Sequence, residues 1–219
     1  MINWNIKHQL EDFMQNVHNK KILDFGCGDS RYKEIIGKNN SYVGIDVAES
    51  GHPSEDKNFD ILWDKKKLPF NKDSFDIIVC TEVLEHVENI DATINELKRV
   101  LKKNGLLFVT MPFIWVEHEK PYDFRRFTSF GIKKFFSDND FELVKYKKLV
   151  NGKLAYYQLL LSELNRTLRD DNKFKLGTSF KNLYYLIITL LFKVLIKFFL
   201  PKSTFKEMYI NNCIIIKKK

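Results

Sequence analysis

The chain predicts an α/β fold, a mostly parallel sheet with helices on both faces. Two observations carry that reading. Short apolar runs alternate with helical patterns between residues 21 and 149, and this order builds parallel sheets. The first run, Lys21–Phe25, leads directly into Gly26-Cys27-Gly28. A glycine turn after a first strand lets backbone amides approach a nucleotide-like ligand.

The elements follow in order. Residues 4–17 place apolar side chains at helical spacing and predict a helix lying on the sheet or over the ligand. After the strand Lys21–Phe25, a short helix is expected to about Gly37. Tyr42–Asp46 reads as a second strand, and Phe59–Trp63, followed by Asp64, as a third. Phe75–Thr81 reads as a fourth. A helix over about Asp91–Lys102 has Ile94, Leu97, Val100 and Leu101 at helical spacing, with Gly105 expected as its left-handed cap. The fifth strand is Leu106–Met111, stopped by Pro112. Thr128 is expected to cap a helix reaching Asp138. Phe141–Leu149 alternates as a half-exposed strand, and Met208–Ile216 reads as a seventh. This divides the chain into a core at 1–149, a helical, apolar and basic insertion at 150–207, and a last core strand with a basic tail at 208–219.

Charge separates the same parts. The net charge is +8 over 219 residues, but residues 1–129 hold 18 Lys+Arg against 21 Asp+Glu, a net of −3. Residues 130–219 hold 18 against 7, a net of +11. The basic part suits an anionic lipid or nucleic-acid surface. The three cysteines, Cys27, Cys80 and Cys213, lack metal spacing and read as reduced core thiols, which places the protein in the cytoplasm. The first residues lack the apolar core of a signal peptide.

The glycine turn has two candidate ligands. A nicotinamide dinucleotide site wants G-x-G-x-x-G, and here Arg31 takes the third glycine's place. The remaining blocks are Ile22–Gly28, Gly44-Ile45-Asp46, Asp64 ahead of Leu68-Pro69-Phe70, Ser74–Val87 and Leu97–Leu107. In these blocks the chain resembles the class I S-adenosylmethionine-dependent methyltransferases. The resemblance implies a Rossmann-like seven-stranded sheet, mostly parallel, with an antiparallel last strand. It implies that Asp24 and the Gly26 and Gly28 backbone hold the amino-acid end of S-adenosylmethionine. Asp46 would accept hydrogen bonds from the ribose hydroxyls, Asp64 would bind the adenine amine, and Thr81 would line the same pocket. One departure is Ser30, where many such sequences have a third glycine.

The stretch Thr81-Glu82-Val83-Leu84-Glu85-His86 carries the chemistry. Methyl transfer to a hydroxyl needs a base or a cation to take up developing negative charge. On one helical turn, Glu82, Glu85 and His86 would share a face. With His118 from the loop after the fifth strand they are candidate ligands for Mg²⁺ or Mn²⁺, and His86 and His118 are the candidate catalytic residues. This Glu-x-x-Glu-His pattern with a later His resembles the metal site of small-RNA 2′-O-methyltransferases and some quinone O-methyltransferases.

The loop His118–Thr128 resembles bacterial methyltransferases of surface-polysaccharide assembly. Trp115, Tyr122 and Phe124 are expected to stack on a sugar, and Arg125 and Arg126 to grip a carboxylate, phosphate or diphosphate. The expected acceptor is a sugar or glycan intermediate, lipid-linked or free, with a quinone as the alternative. RNA is disfavoured because no separate RNA module is visible. A non-catalytic S-adenosylmethionine-binding regulatory subunit is the reading from another class. Residues 183–200 are nearly long enough to span a bilayer, but Lys193 and Lys197 interrupt them. An in-plane helix at the inner face of the membrane is expected, flanked by Lys181, Lys202 and Lys206. A buried helix or a homodimer contact is the alternative.

Overall fold

The computed structural model describes residues 2–48, 50, 57–169, 178–199 and 207–219. The described chain falls into two compact units, one of residues 2–149 with 211–219 and one of residues 150–210.

The first unit is built on a seven-stranded sheet. Its strands are β1 (Lys21–Phe25), β2 (Ser41–Val47), β3 (Ile61–Trp63), β4 (Phe75–Thr81), β5 (Leu101–Pro112), β6 (Phe141–Asn151) and β7 (Tyr209–Lys218). The spatial order is β3-β2-β1-β4-β5-β7-β6. Strands β1 to β5 pair in parallel, and β7 runs antiparallel to β5, with Leu106 opposite Lys217 and Pro112 opposite Asn211. The chain leaves β1 toward β2 on one side and later returns to place β4 on the other. That reversal opens a crevice at the carboxyl ends of β1 and β4.

Strands β1 and β4 are apolar almost throughout, because parallel strands covered on both faces bury alternate side chains equally. Leu23, Ile78 and Val109 are fully buried. Helix α1 (Ile2–Met14) supplies Ile6, Leu10 and Met14 to the core at four-residue spacing, and its Phe13 ring lies 5.4 Å from that of Phe108. A short helix, α2 (Lys33–Gly37), follows the first turn. Helix α3 (Ile90–Val100) is started by Asn89, whose side chain accepts from Ala92 N at 3.1 Å, and buries Ile94, Leu97 and Val100. Helix α4 (Ser129–Asp138) has the expected Thr128 cap, with Oγ1 accepting from Gly131 N at 3.0 Å.

One boundary differs from the sequence reading. Helix α3 stops at Val100, and Gly105 lies inside β5 rather than capping a helix. The left-handed residue is Asn104, at φ +60°. The pairing of β4 with β5 slips between Phe75–Leu101 and Ile77–Leu106, and residues 102–105 are absorbed in the slip. Gly105 is required for space. A Cβ there would sit 2.7 Å from Leu101 Cδ1 and 2.8 Å from the Lys102 carbonyl oxygen.

The second unit contains α5 (Lys153–Arg169) and α6 (Thr178–Phe199). Tyr157 of α5 donates to the Thr189 carbonyl of α6 at 3.4 Å. No helix among the described residues is long and apolar enough to cross a membrane. Lys202 and Lys206 lie outside the described residues, as does the Lys197 side chain.

Candidate active site

Strand β1 delivers Asp24 and then turns through three left-handed residues, Gly26 (φ +73°), Gly28 (φ +55°) and Ser30 (φ +57°). Gly26 is doubly constrained, since any Cβ would run into the Val83 side chain. Ser30 holds its left-handed conformation despite carrying a side chain, and its hydroxyl donates to the Asn58 carbonyl oxygen. The turn is fastened to β2 by the Gly26 and Cys27 amides, which both donate to the Ile45 carbonyl. A Cβ on Gly28 would meet nothing within 4 Å, so the turn faces open space. Backbone beside open space, with carboxylates at both neighbouring strand ends, fits a nucleoside with a zwitterionic tail.

Asp24 is only 2% exposed and accepts from the Tyr42 hydroxyl at 2.9 Å. Burial pushes its pKa up to about 7, against the lowering effect of that hydrogen bond. Asp46 accepts from Gly28 N at 2.7 Å and Val47 N at 2.6 Å. Its other contact was not foreseen. Lys57 Nζ, itself 3% exposed, lies 3.1 Å from Asp46 Oδ1 and donates to the Val47 carbonyl at 2.6 Å. The carboxylate expected to meet ribose therefore carries an ammonium partner. Asp64 is exposed just after β3 and accepts from Lys66 N at 3.0 Å. Thr81 ends β4 opposite Thr110.

Beyond β4 the chain does not form the regular helical turn that would align Glu82, Glu85 and His86. Glu82 takes φ +55°, and only Leu84–His86 form a single 3-10 turn. Glu82 points elsewhere, its Oε2 accepting from Asn211 Nδ2 of β7 at 2.6 Å. The residues that do converge are Glu85, His86 and His118, which offer ligand atoms all within 4.8 Å of one another. The two imidazole rings meet edge to face at 4.7 Å. His86 Nε2 lies 3.9 Å from Glu85 Oε1 and 3.7 Å from Glu119 Oε1.

The electrostatics of this cluster are unusual. Both Glu85 oxygens, His86 Nε2 and His118 Nδ1 are buried without a hydrogen-bond partner. Burial, reinforced by the Glu82 charge, raises the Glu85 pKa well above its ordinary value. Burial and the His86 ring beside it lower that of His118. His86 Nδ1 sits 2.8 Å from the Tyr122 carbonyl. A carbonyl only accepts, so Nδ1 carries the proton and Nε2 presents a lone pair to the cluster.

The loop from Phe113 to Thr128 closes one side. Its two arginines, expected to grip an acceptor anion, instead hold the loop. Arg125 donates to the Leu84 and Glu88 carbonyls, each at 2.9 Å, and to that of Val87. Arg126 forks onto Asp123 at 2.5 and 2.7 Å. This holds the Asp123 pKa at about 2, and Asp123 also accepts from His118 N at 3.1 Å. Trp115 and Tyr122 are half-buried, and Lys65 Nζ lies 5.2 Å over the Tyr122 ring. The sequence reading did not single out Asp123, Glu119, Asn211 or Lys57. Only Asp123 carried a local signal, its three-residue spacing to Arg126.

Residues 23–109 match the family model described as a methyltransferase domain. The last strand of the chain, β7, runs antiparallel to β5 and lies between β5 and β6 in the seven-stranded sheet. The fold is that of a class I methyltransferase. The chain superposes on coclaurine N-methyltransferase with a TM-score of 0.58 at 16% identity, covering 97% of this chain and 72% of that one. It superposes on the [4+2]-cyclase SpnF with a TM-score of 0.61 at 14% identity, covering 97% and 79%. Those two proteins are named for different reactions, so the fold does not by itself fix the chemistry. By sequence, the chain is 32% identical over 115 residues to the ubiquinone biosynthesis O-methyltransferase of Glaesserella parasuis serovar 5, covering 46% of this chain and 49% of that protein. The chain spans about half, or less, of the length of such curated relatives.

Proposed function

We propose that the chain transfers a methyl group from S-adenosylmethionine to a hydroxyl, and that the acceptor is a quinol or related phenol. The observation that carries the reading is the cluster of Glu85, His86 and His118, in which both Glu85 oxygens, His86 Nε2 and His118 Nδ1 are buried without a hydrogen-bond partner. It begins two residues after Val83, the side chain that abuts Gly26 of the cofactor turn. S-Adenosylmethionine supplies an activated methyl, leaving the protein to align the acceptor, exclude water and manage its proton.

Buried groups without partners are costly, and the cluster resolves that cost if it takes a cation. The donor set fits. Two imidazoles and one carboxylate suit Mn²⁺ or another transition ion better than Mg²⁺. A bound divalent cation lowers the pKa of an acceptor hydroxyl. In this reading Glu85 binds ionised, the Tyr122 carbonyl keeps Nε2 of His86 free as a donor, and Asp123 positions His118 through its backbone amide.

The quinol is favoured over the sugar by two considerations. Relatives over the shared region are named for ubiquinone biosynthesis. Arg125 and Arg126, on which an anionic sugar acceptor rested, are engaged within the loop. The test is methyl transfer from labelled S-adenosylmethionine to a prenylated catechol, with and without chelator. Transfer abolished by chelator and restored by Mn²⁺ is expected. Cofactor binding without transfer to any catechol overturns the acceptor assignment, and chelator-resistant transfer overturns the cation.

A further inference from the structure

Helix α6 exposes an apolar face that no part of the proposed reaction explains. Ten large apolar side chains along it, from Phe180 to Phe198, are between 41% and 73% exposed. At about 100° per residue they occupy one arc of roughly 180°, centred on Phe180, Ile187, Leu191 and Phe198. The opposite side, with Tyr185, Ile188, Thr189 and Phe192, is half-buried and includes the Thr189 carbonyl that accepts from Tyr157 of α5. Lys193 falls at one border between these faces, and the position of Lys197 falls just inside the same edge of the apolar arc. Lys181 lies on the half-buried side between Ile188 and Phe192, and the helix contains no Asp or Glu.

We infer that this face lies in the surface of an anionic bilayer, parallel to the membrane plane. An apolar half-cylinder with Lys193 at its border buries its face among acyl chains and leaves the ammonium group at headgroup level. The charge is complementary, because anionic lipid attracts basic residues and α6 offers it no carboxylate to repel. A crossing is disfavoured by connectivity. The chain enters this unit from β6 and leaves it into β7, two strands of the same sheet. A second copy is a poorer occupant. Two-fold antiparallel pairing of identical helices would set the Lys193 border against its own copy, with no acidic residue in α6 to offset it.

The test is sedimentation of the full chain with sealed vesicles of phosphatidylcholine, with and without phosphatidylglycerol. Binding confined to the anionic vesicles and weakened by salt is expected. Lys193→Gln should weaken it about fivefold, and the Ile187→Glu/Leu191→Glu pair should abolish it. Circular dichroism showing unchanged helix content in the variants separates lost binding from unfolding. Failure to bind anionic vesicles, or binding indifferent to the paired glutamates, overturns the inference. So does a dimer in solution that the paired glutamates convert to monomer, which would assign the face to a second copy. The inference concerns α6 alone, and its failure leaves the proposed reaction untouched.

Discussion

Asn211 Nδ2 donates to Glu82 Oε2 at 2.6 Å, joining the last strand to the residue after β4 across 129 positions of sequence. Burial raises the Glu82 pKa, and the Asn211 hydrogen bond works against that rise. Removing the amide should therefore leave a buried carboxylate with one contact fewer. Asn211→Ala is expected to cost about 1–3 kcal/mol in stability and to raise the Glu82 pKa further. Denaturant titration across pH checks it. A variant as stable as the parent at neutral pH would show that the bond contributes nothing net.

Glu85 makes a sharper pH prediction. Its pKa is raised in the folded state, so the folded protein holds a proton that the unfolded chain releases. Stability from this group is fully present below the unfolded carboxylate pKa and is lost as pH rises toward the folded one. As pH rises above the ordinary carboxylate range the metal-free protein should therefore weaken, and Glu85→Gln should flatten that slope. Mn²⁺ should reverse the trend in the parent, because it binds the ionised cluster, and should do little for the variant. The measurement is the urea midpoint against pH with and without Mn²⁺.

These two glutamates also mark what the sequence could and could not reveal. Strands β1, β4 and β5 were legible because their apolar runs and the glycines after β1 are local signals. The approach of His118 to His86 followed from adjacent parallel strands ending on one side. The separation of Glu82 from Glu85 was not legible. It depends on φ +55° at Glu82, fixed where its amide donates to the Thr110 carbonyl at 3.1 Å and its side chain meets Asn211. Helical spacing presumes a regular turn, and long-range bonds override it here. The role of Arg125 was hidden for a related reason, since its partners are main-chain carbonyls, which carry no residue-type signal.

Arg125 should behave as a structural clamp. Its guanidinium reaches three carbonyls between Leu84 and Glu88, which an ammonium cannot span together. Arg125→Lys is expected to cost about 2 kcal/mol and Arg125→Ala about 3 kcal/mol. Both should expose residues 113–128 to limited proteolysis. A variant of unchanged stability with a raised KM for the acceptor would return Arg125 to substrate binding.

Gly26 and Val83 tie the cofactor turn to the cluster beyond β4. Gly26→Ala imposes a left-handed conformation on a residue with a side chain, at about 1–2 kcal/mol, and drives its Cβ into Val83. The turn can relieve the clash only by shifting away from the Ile45 carbonyl that anchors it. S-Adenosylmethionine affinity should fall about tenfold or more. Val83→Ala in the same chain removes the clash but not the backbone strain, so the double variant should recover part of the affinity and never all of it. Calorimetry on the three variants checks this. Full recovery would show that the backbone conformation at Gly26 is not what holds the turn, and no recovery would show that Val83 is not what limits it.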